Sequence, residues 1–221
     1  MSQWVVFGFG NYLSDIFDII GARQGRVKAI VGNLNYSEEK RNNLSRRLSL
    51  LGYEVRYWQL EDFRPSSEEQ YCCGFISGRD QLATRLKREY EIRFANLIHP
   101  TSYIGSSVSI GEGFVMGPHS VVAPNCRIGD FVIINRATSV GHDSSLGDFA
   151  TLAPGATIGG NVGIGRKSVV GIGATIVNDV NIGENAIVGA GSLVLKDVPD
   201  HVVVVGSPTH ILRRNNPVAN C

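Results

Sequence analysis

The sequence predicts two architectures in series: a small α/β unit over residues 1–99, then an all-β coil of short parallel strands over residues 100–221. Three observations predict this. Aliphatic residues recur at every sixth position from Ile104 to Val188, and a glycine or alanine follows nearly all of them. Before Pro100 both patterns give way to apolar runs that alternate with charged amphipathic ones.

In chain order, WVVFGF (4–9) has no polar face and reads as a buried strand, NYLSDIFDIIGA (11–22) has helical apolar spacing, and VKAIV (27–31) is a second strand. EEKRNNLSRRLSLLG (38–52) predicts a helix closed by Gly52, YEVRYW (53–58) and QYCCGFIS (70–77) predict strands, and RDQLATRLKREY (79–90) predicts a helix. RFANLIH (93–99) is expected as the strand leading into the coil. Such alternation favours a parallel sheet that binds ligands beyond the carboxyl ends of its strands. Gly8-Phe9-Gly10-Asn11 stands where the first strand turns into the first helix, a place where backbone N–H groups can meet a phosphate. Without the full dinucleotide fingerprint it reads equally well as a plain tight turn.

The six-residue series runs Ile104, Ile110, Met116, Val122, Ile128, Ile134, Val140, Leu146, Leu152, Ile158, Ile164, Val170, Ile176, Ile182, Val188. With 43% apolar residues in the chain, fifteen successes in one phase have a chance probability on the order of a few in a million. The following residue is Gly or Ala except at Asn135 and Val177, as a tight corner would require. Glycine at this density would cost a helix about 1 kcal/mol per residue relative to alanine, so each hexad is one short strand and one corner. Five coils of three hexads give a length of about 24 Å at the usual strand spacing.

Composition narrows the partners. Lys and Arg total 21 against 20 Asp and Glu, which supports neither a nucleic-acid footprint nor an anionic-membrane one. MSQWVVFGFG lacks the features of a secretory leader and no apolar run reaches membrane-spanning length, so a cytoplasmic location is expected. Cys72, Cys73, Cys126 and Cys221 have no metal-ligand spacing and read as ordinary thiols, with Cys126 at an inward-facing repeat position.

The hexads resemble the hexapeptide-repeat acyltransferases, whose strands wind into triangular left-handed coils of eighteen residues, an exception to the right-handed crossover rule. Together with the N-terminal unit, the chain is similar to the sugar acetyltransferases that include the bacillosamine-pathway and perosamine N-acetyltransferases and the sialic-acid O-acetyltransferases. The similarity is most specific in LIHPTSYIGSSVSIGEGF (97–114), in IINRATSVGHDSSLGDFATLAPGATIGGNVGIG (133–165), and in the closing VVVVGSPTHILRR with Gly206 and Pro208. The resemblance implies a Rossmann-like α/β unit that holds a nucleotide-linked sugar, followed by an all-β left-handed parallel β-helix. It further implies a homotrimer, with acetyl-CoA as co-substrate in the groove between neighbouring copies.

N-acetylation needs a proton acceptor for the attacking amine and a donor for the developing oxyanion. His142 stands at a hexad corner with Asp143 beside it, and the resemblance makes His142 the general base; Asp143 can orient the imidazole. By period alone Gly160 lies one coil along on the same corner, where its N–H is expected to be available to the thioester oxygen. Resemblance adds Asn135 near the active site, Ile172 and Ala190 as backbone contacts to the pantetheine arm, and Gly206 and Pro208 near the adenine end. It places Gly8, Gly10 and Asn11 at the sugar nucleotide. Gly32-Asn33 stands where relatives carry an acidic pair for uridine and ribose, and Asn33 is retained as a substrate contact.

The resemblance thus implies an acetyl-CoA-dependent N-acetyltransferase acting on a nucleotide-linked amino sugar, and the absence of an activated nucleophile around His142 predicts direct attack of the amine, without a metal. Sugar O-acetylation and a non-catalytic β-helix scaffold remain open. The zinc carbonic anhydrases that share the coil need three histidines, whereas this coil contains only His119 and His142.

Overall fold

A strand without a polar face must be covered on both sides. β1 (Gln3–Phe7) meets that condition, with Trp4, Val5, Val6 and Phe7 all buried. The computed structural model describes residues 1–8, 10, 12–32, 37–50, 53, 55–76 and 78–215. Its two compact units are Met1–Ala95 and Asn96–Cys221.

In the first unit β1 is central. It pairs in parallel with β2 (Arg26–Gly32) and β4 (Glu69–Cys73), and β2 pairs with β3 (Arg56–Gln59), giving the order β3-β2-β1-β4. Between the strands run α1 (Leu13–Ala22), α2 (Glu38–Leu50) and, after β4, α3 (Arg79–Tyr90). α1 buries Leu13, Ile16, Phe17, Ile19 and Ile20, the stripe expected of a helix lying on a sheet. Gly52, the expected stop of α2, lies outside the described residues.

The segment RFANLIH is not a strand of this sheet. Phe94 makes a single bridge to Tyr71, while β5 (Leu97–Ile98) pairs with Val115–Met116 of the coil. The coil therefore begins before Pro100, because Leu97 already stands eighteen residues ahead of a coil strand with which it is in register.

From Tyr103–Ile104 to Leu193–Val194 the second unit consists of two-residue strands on three faces. Each strand pairs in parallel with the strand eighteen residues away, as in Ile133↔Thr151, Ser139↔Thr157 and Arg127↔Ser145. These stacks fit a left-handed parallel β-helix. The stepping aliphatics point inward and form one continuous core from Met116 to Val194. The last turn is shortened, with Ile187 pairing Val203 sixteen residues on. The chain closes with the antiparallel pair Val202–Val205 and His210–Arg214.

The small residue after each aliphatic has a different cause from the one expected. A Cβ on Gly147 would lie 2.7 Å from the Arg166 nitrogen, one on Gly165 2.6 Å from that of Glu184, and one on Gly117 2.8 Å from that of Arg136. Space against the next coil, not turn conformation, excludes side chains there. The left-handed backbone falls two residues later in every hexad, and mostly on residues with side chains: His119, Asn125, Asp143, Asn161 and Asp179 have φ of 57°, 62°, 59°, 56° and 61°. One residue further on, buried hydroxyls tie adjacent coils. Ser144 Oγ donates to the Gly159 carbonyl at 3.2 Å and accepts from the Val162 N–H at 3.1 Å, and Ser120 and Ser168 repeat the pattern. Cys126 takes the equivalent place as a buried thiol, its Sγ directed at the Gly141 carbonyl.

Gly147→Ala is expected to destabilise the coil by about 1–3 kcal/mol through overpacking against a backbone that cannot retreat. Ala153→Gly, which opens space instead, is expected to cost less than about 1 kcal/mol. Urea denaturation of both variants measures the difference.

Candidate active site

His142 and Asp143 are the two central residues of one corner turn, between the faces carrying Val140 and Leu146. That corner is fixed from both sides. The Asp143 N–H donates to the Pro124 carbonyl at 3.1 Å, and the His142 carbonyl accepts from the Asn161 N–H at 2.8 Å. The two side chains meet at 2.7 Å between Nδ1 and Oδ2, while both remain largely in solvent. In the neutral imidazole an ionised carboxylate on Nδ1 favours the tautomer with the proton there, which leaves the lone pair on Nε2. Asp143 also accepts from the Asn125 side chain one coil back, and these two bonds, with that from His142 the larger effect, hold its carboxyl below the usual range.

The ring lies directly over Gly160. A Cβ built there would stand 2.8 Å from both Cε1 and Nε2 of His142, so glycine makes the room in which the imidazole rests. The expected role of the Gly160 N–H is corrected: Gly160 is buried, and its N–H donates to Asn178 Oδ1 at 2.9 Å rather than facing an incoming oxygen. Gly141, before the histidine, has no space for a side chain, since a Cβ would collide with the backbone of Gly159 and Gly160.

Ile172 and Ala190 stack in one column, but on the corner after the Leu152 and Val170 face, so a single copy does not bring them to His142. Ile172 is 61% exposed. Beside this column Gly155, Gly173 and Gly191 form a second one at φ of 70°, 63° and 65°, with nothing within 4 Å of a Cβ at any of them. The result is a bare apolar ridge. Its signal was present in the sequence as three glycines at a spacing of eighteen, and the sequence reading missed it.

Asn135 occupies the same corner further back, its Oδ1 accepting from the Arg136 N–H at 2.8 Å. Gly206, at φ 104°, and Pro208 form the turn between the closing strands, where the Leu193 N–H reaches the Gly206 carbonyl at 3.0 Å. His119 stands on a different corner from His142, and among the described residues no group of three His, Cys, Asp or Glu is arranged around a metal position.

In the N-terminal unit Gly8 sits at φ 97° under the Phe75 ring and gives its N–H to the Val31 carbonyl at 2.8 Å. That N–H belongs to the sheet and does not face a phosphate. Gly10 accepts from the Leu13 N–H and opens α1; Asn11 and Asn33 lie outside the described residues. The sequence reading also missed Arg79. Only 5% exposed at the start of α3, it donates to the Ile76 carbonyl at 2.6 Å, and burial lowers its pKa to about 10. It still brings a positive charge to the carboxyl end of β4. A hollow lined by Ile20, Gly25, Val27 and Tyr53 lies at the opposite, amino end of β2, away from the edge at which parallel sheets bind ligands.

No protein-family model and no curated protein matches the chain. Solved structures do. A perosamine N-acetyltransferase variant from Caulobacter crescentus, in complex with CoA and GDP-perosamine, is 27% identical with a TM-score of 0.80, over 96% of this chain and 97% of that one. The acetyltransferase domain of PglB from Neisseria gonorrhoeae, in complex with acetyl coenzyme A, is 25% identical with a TM-score of 0.81 over 95% and 98%. The chain is an enzyme of the sugar N-acetyltransferase type. WeeI from Acinetobacter baumannii resembles this acetyltransferase equally across its length, at 25% identity and a TM-score of 0.77 over 96% and 100%. Among the described residues the acetyltransferase has no helix long and apolar enough to cross a membrane.

Removing either donor to Asp143 is expected to raise its carboxyl pKa toward the ordinary value, more in His142→Ala than in Asn125→Ala. Carbon-detected NMR titration of the Asp143 carboxyl in the two variants checks the order.

Proposed function

We propose that this acetyltransferase transfers the acetyl group of acetyl-CoA to the amine of a nucleotide-linked amino sugar, with His142 as general base. The observation that carries the reading is the His142–Asp143 pair over Gly160: a fixed imidazole with a free Nε2 on an open corner. The amine nitrogen attacks the thioester carbon and its proton passes to Nε2; collapse of the oxyanion breaks the C–S bond, and Nε2 returns that proton to the departing sulfur, so that CoA leaves as the thiol. Asp143 orients the ring and stays ionised throughout. Direct attack is supported by the state of Cys126, the thiol beneath this corner, which is buried, directed at the Gly141 carbonyl, and pushed up in pKa by burial.

The ridge of Ile172, Ala190, Gly173 and Gly191 suits the pantetheine arm, and the Gly206–Pro208 turn suits the adenine end. Ridge and base occupy different corners, so the complete site takes its ridge from a neighbouring copy, which supports a homotrimer. Strand order β3-β2-β1-β4 matches the first four strands of the dinucleotide-binding arrangement. On that basis the N-terminal unit is Rossmann-like and holds the sugar nucleotide at its carboxyl edge, with Gly8 and Gly10 shaping the loop and Arg79 supplying positive charge. The similarity to a protein bound to GDP-perosamine puts GDP-linked amino sugars first among the substrates to try.

Thiol release from acetyl-CoA, measured against UDP-, GDP- and dTDP-linked amino sugars, is expected to show turnover on one amine and a loss of at least about tenfold in His142→Ala. Folded protein that releases no thiol with any amine or hydroxyl sugar refutes the reading. Gly173→Asn, which uses a residue this chain tolerates in the same backbone conformation at Asn125, Asn161 and Asn185, is expected to raise KM for acetyl-CoA several-fold with kcat little changed. Steady-state kinetics against acetyl-CoA concentration checks that split.

A further inference from the structure

At four turns of the coil the same backbone N–H is capped by a side chain from the following coil. Asp130 Oδ1 caps Glu112 at 2.9 Å, Asp148 Oδ1 caps Asp130 at 2.9 Å, Asp200 Oδ1 caps Glu184 at 2.7 Å, and Asn178 Oδ1 caps Gly160 at 2.9 Å. Three of the caps are aspartates. The exception is the one next to His142.

As a cap, aspartate would serve Gly160 as well as asparagine does, since the bond needs only an oxygen. The two differ in what they present outward. An aspartate in place of Asn178 would set a carboxylate in the column of His142, in addition to that of Asp143 in the next, against any negative charge developing on a substrate oxygen. Asn178 instead carries two N–H donors. Its oxygen must face the Gly160 N–H, because a carboxamide nitrogen cannot accept, so Nδ2 is turned away from the backbone. Asn178 is exposed, and its Nδ2 has no partner among the described residues. Gly160 is the only residue between Asn178 and His142 in the column, and it has no side chain. The base and an unpaired amide donor thus meet at one backbone position, the imidazole lying over Gly160 and the Asn178 carboxamide on its N–H.

We propose that Asn178 Nδ2 is the hydrogen-bond donor to the acyl oxygen in this site, taking the place of the Gly160 N–H that its own Oδ1 occupies. The inference rests on the acetyl-CoA reading above. As the amine nitrogen bonds to the thioester carbon, the C=O electron pair moves onto oxygen and is held by the Asn178 N–H. Return of that pair expels the CoA sulfur, and the amine proton goes to His142 Nε2. The Gly160 N–H polarises the carboxamide through Oδ1 and strengthens its donor end.

Asn178→Asp keeps the cap and the shape while removing the donor. It is expected to lower kcat by about 10²–10³-fold, the range for loss of one oxyanion donor, with KM for acetyl-CoA changed less than threefold and thermal unfolding unchanged. Asn178→Ser, which retains a hydroxyl donor without the added charge, is expected to recover part of kcat. Isotope-edited infrared of bound acetyl-CoA, carbon-13-labelled at the carbonyl, supplies a readout independent of turnover: the carbonyl stretch is red-shifted in the wild type and moves back in Asn178→Asp. Acetyl-CoA that binds with the same carbonyl frequency in both proteins, or an Asn178→Asp enzyme within twofold of wild-type kcat, overturns the assignment alone. Failure of the wild type to bind acetyl-CoA overturns the acyltransferase reading and this inference with it.

Discussion

Everything in the β-helix depends on how closely one coil's backbone lies on the next. Along the corner that carries Gly111, Gly129, Gly147, Gly165 and Gly183, any side-chain carbon would stand within 3 Å of the following coil, well inside ordinary contact. That approach lets two-residue strands hydrogen-bond in parallel ladders and lets the inward aliphatics stack into one continuous core. It also imposes the register of eighteen, which turns residues distant in sequence into neighbours along an edge. The active corner exploits this register directly: Asn125, Asp143, Asn161 and Asp179 form one column, His142, Gly160 and Asn178 the next.

The corner chemistry follows from combining a rigid turn with a missing side chain. His142 is exposed, yet its ring is restrained by Asp143 on one nitrogen and by the Gly160 backbone beneath it. An exposed histidine–carboxylate contact contributes little stability. Its value here is orientation, because a base must present one nitrogen in a fixed direction. The neighbouring Asn125 and Asn178 extend the same logic, each reaching from an adjacent coil to bond a group that itself holds or adjoins the imidazole.

Much of this was legible in one dimension, and the parts that were not share a cause. The hexad series exposed the strand positions and the column geometry, so His142, Gly160, Ile172 and Ala190 could be placed on corners by counting. The reason for the small residues was misjudged, because a steric demand from the next coil and a conformational demand at the turn leave the same glycine in the sequence. Asn178 and Arg79 were passed over. One looks like any surface amide and the other like a solvated helix residue, and only the Gly160 bond and the burial at the end of β4 distinguish them.

The sequence by itself determined the repeat, the inward stack, the strand-and-helix alternation before it, and the pairing of a histidine with an acid at a corner, since periodicity and nearest-neighbour chemistry are local properties. Only the tertiary structure decided which N–H groups remain available. It assigned those of Gly8 and Gly160 to Val31 and Asn178, and it cleared the ridge at Gly155, Gly173 and Gly191. Hydrogen-bond commitment and open space are set by atoms a full coil or a neighbouring strand away.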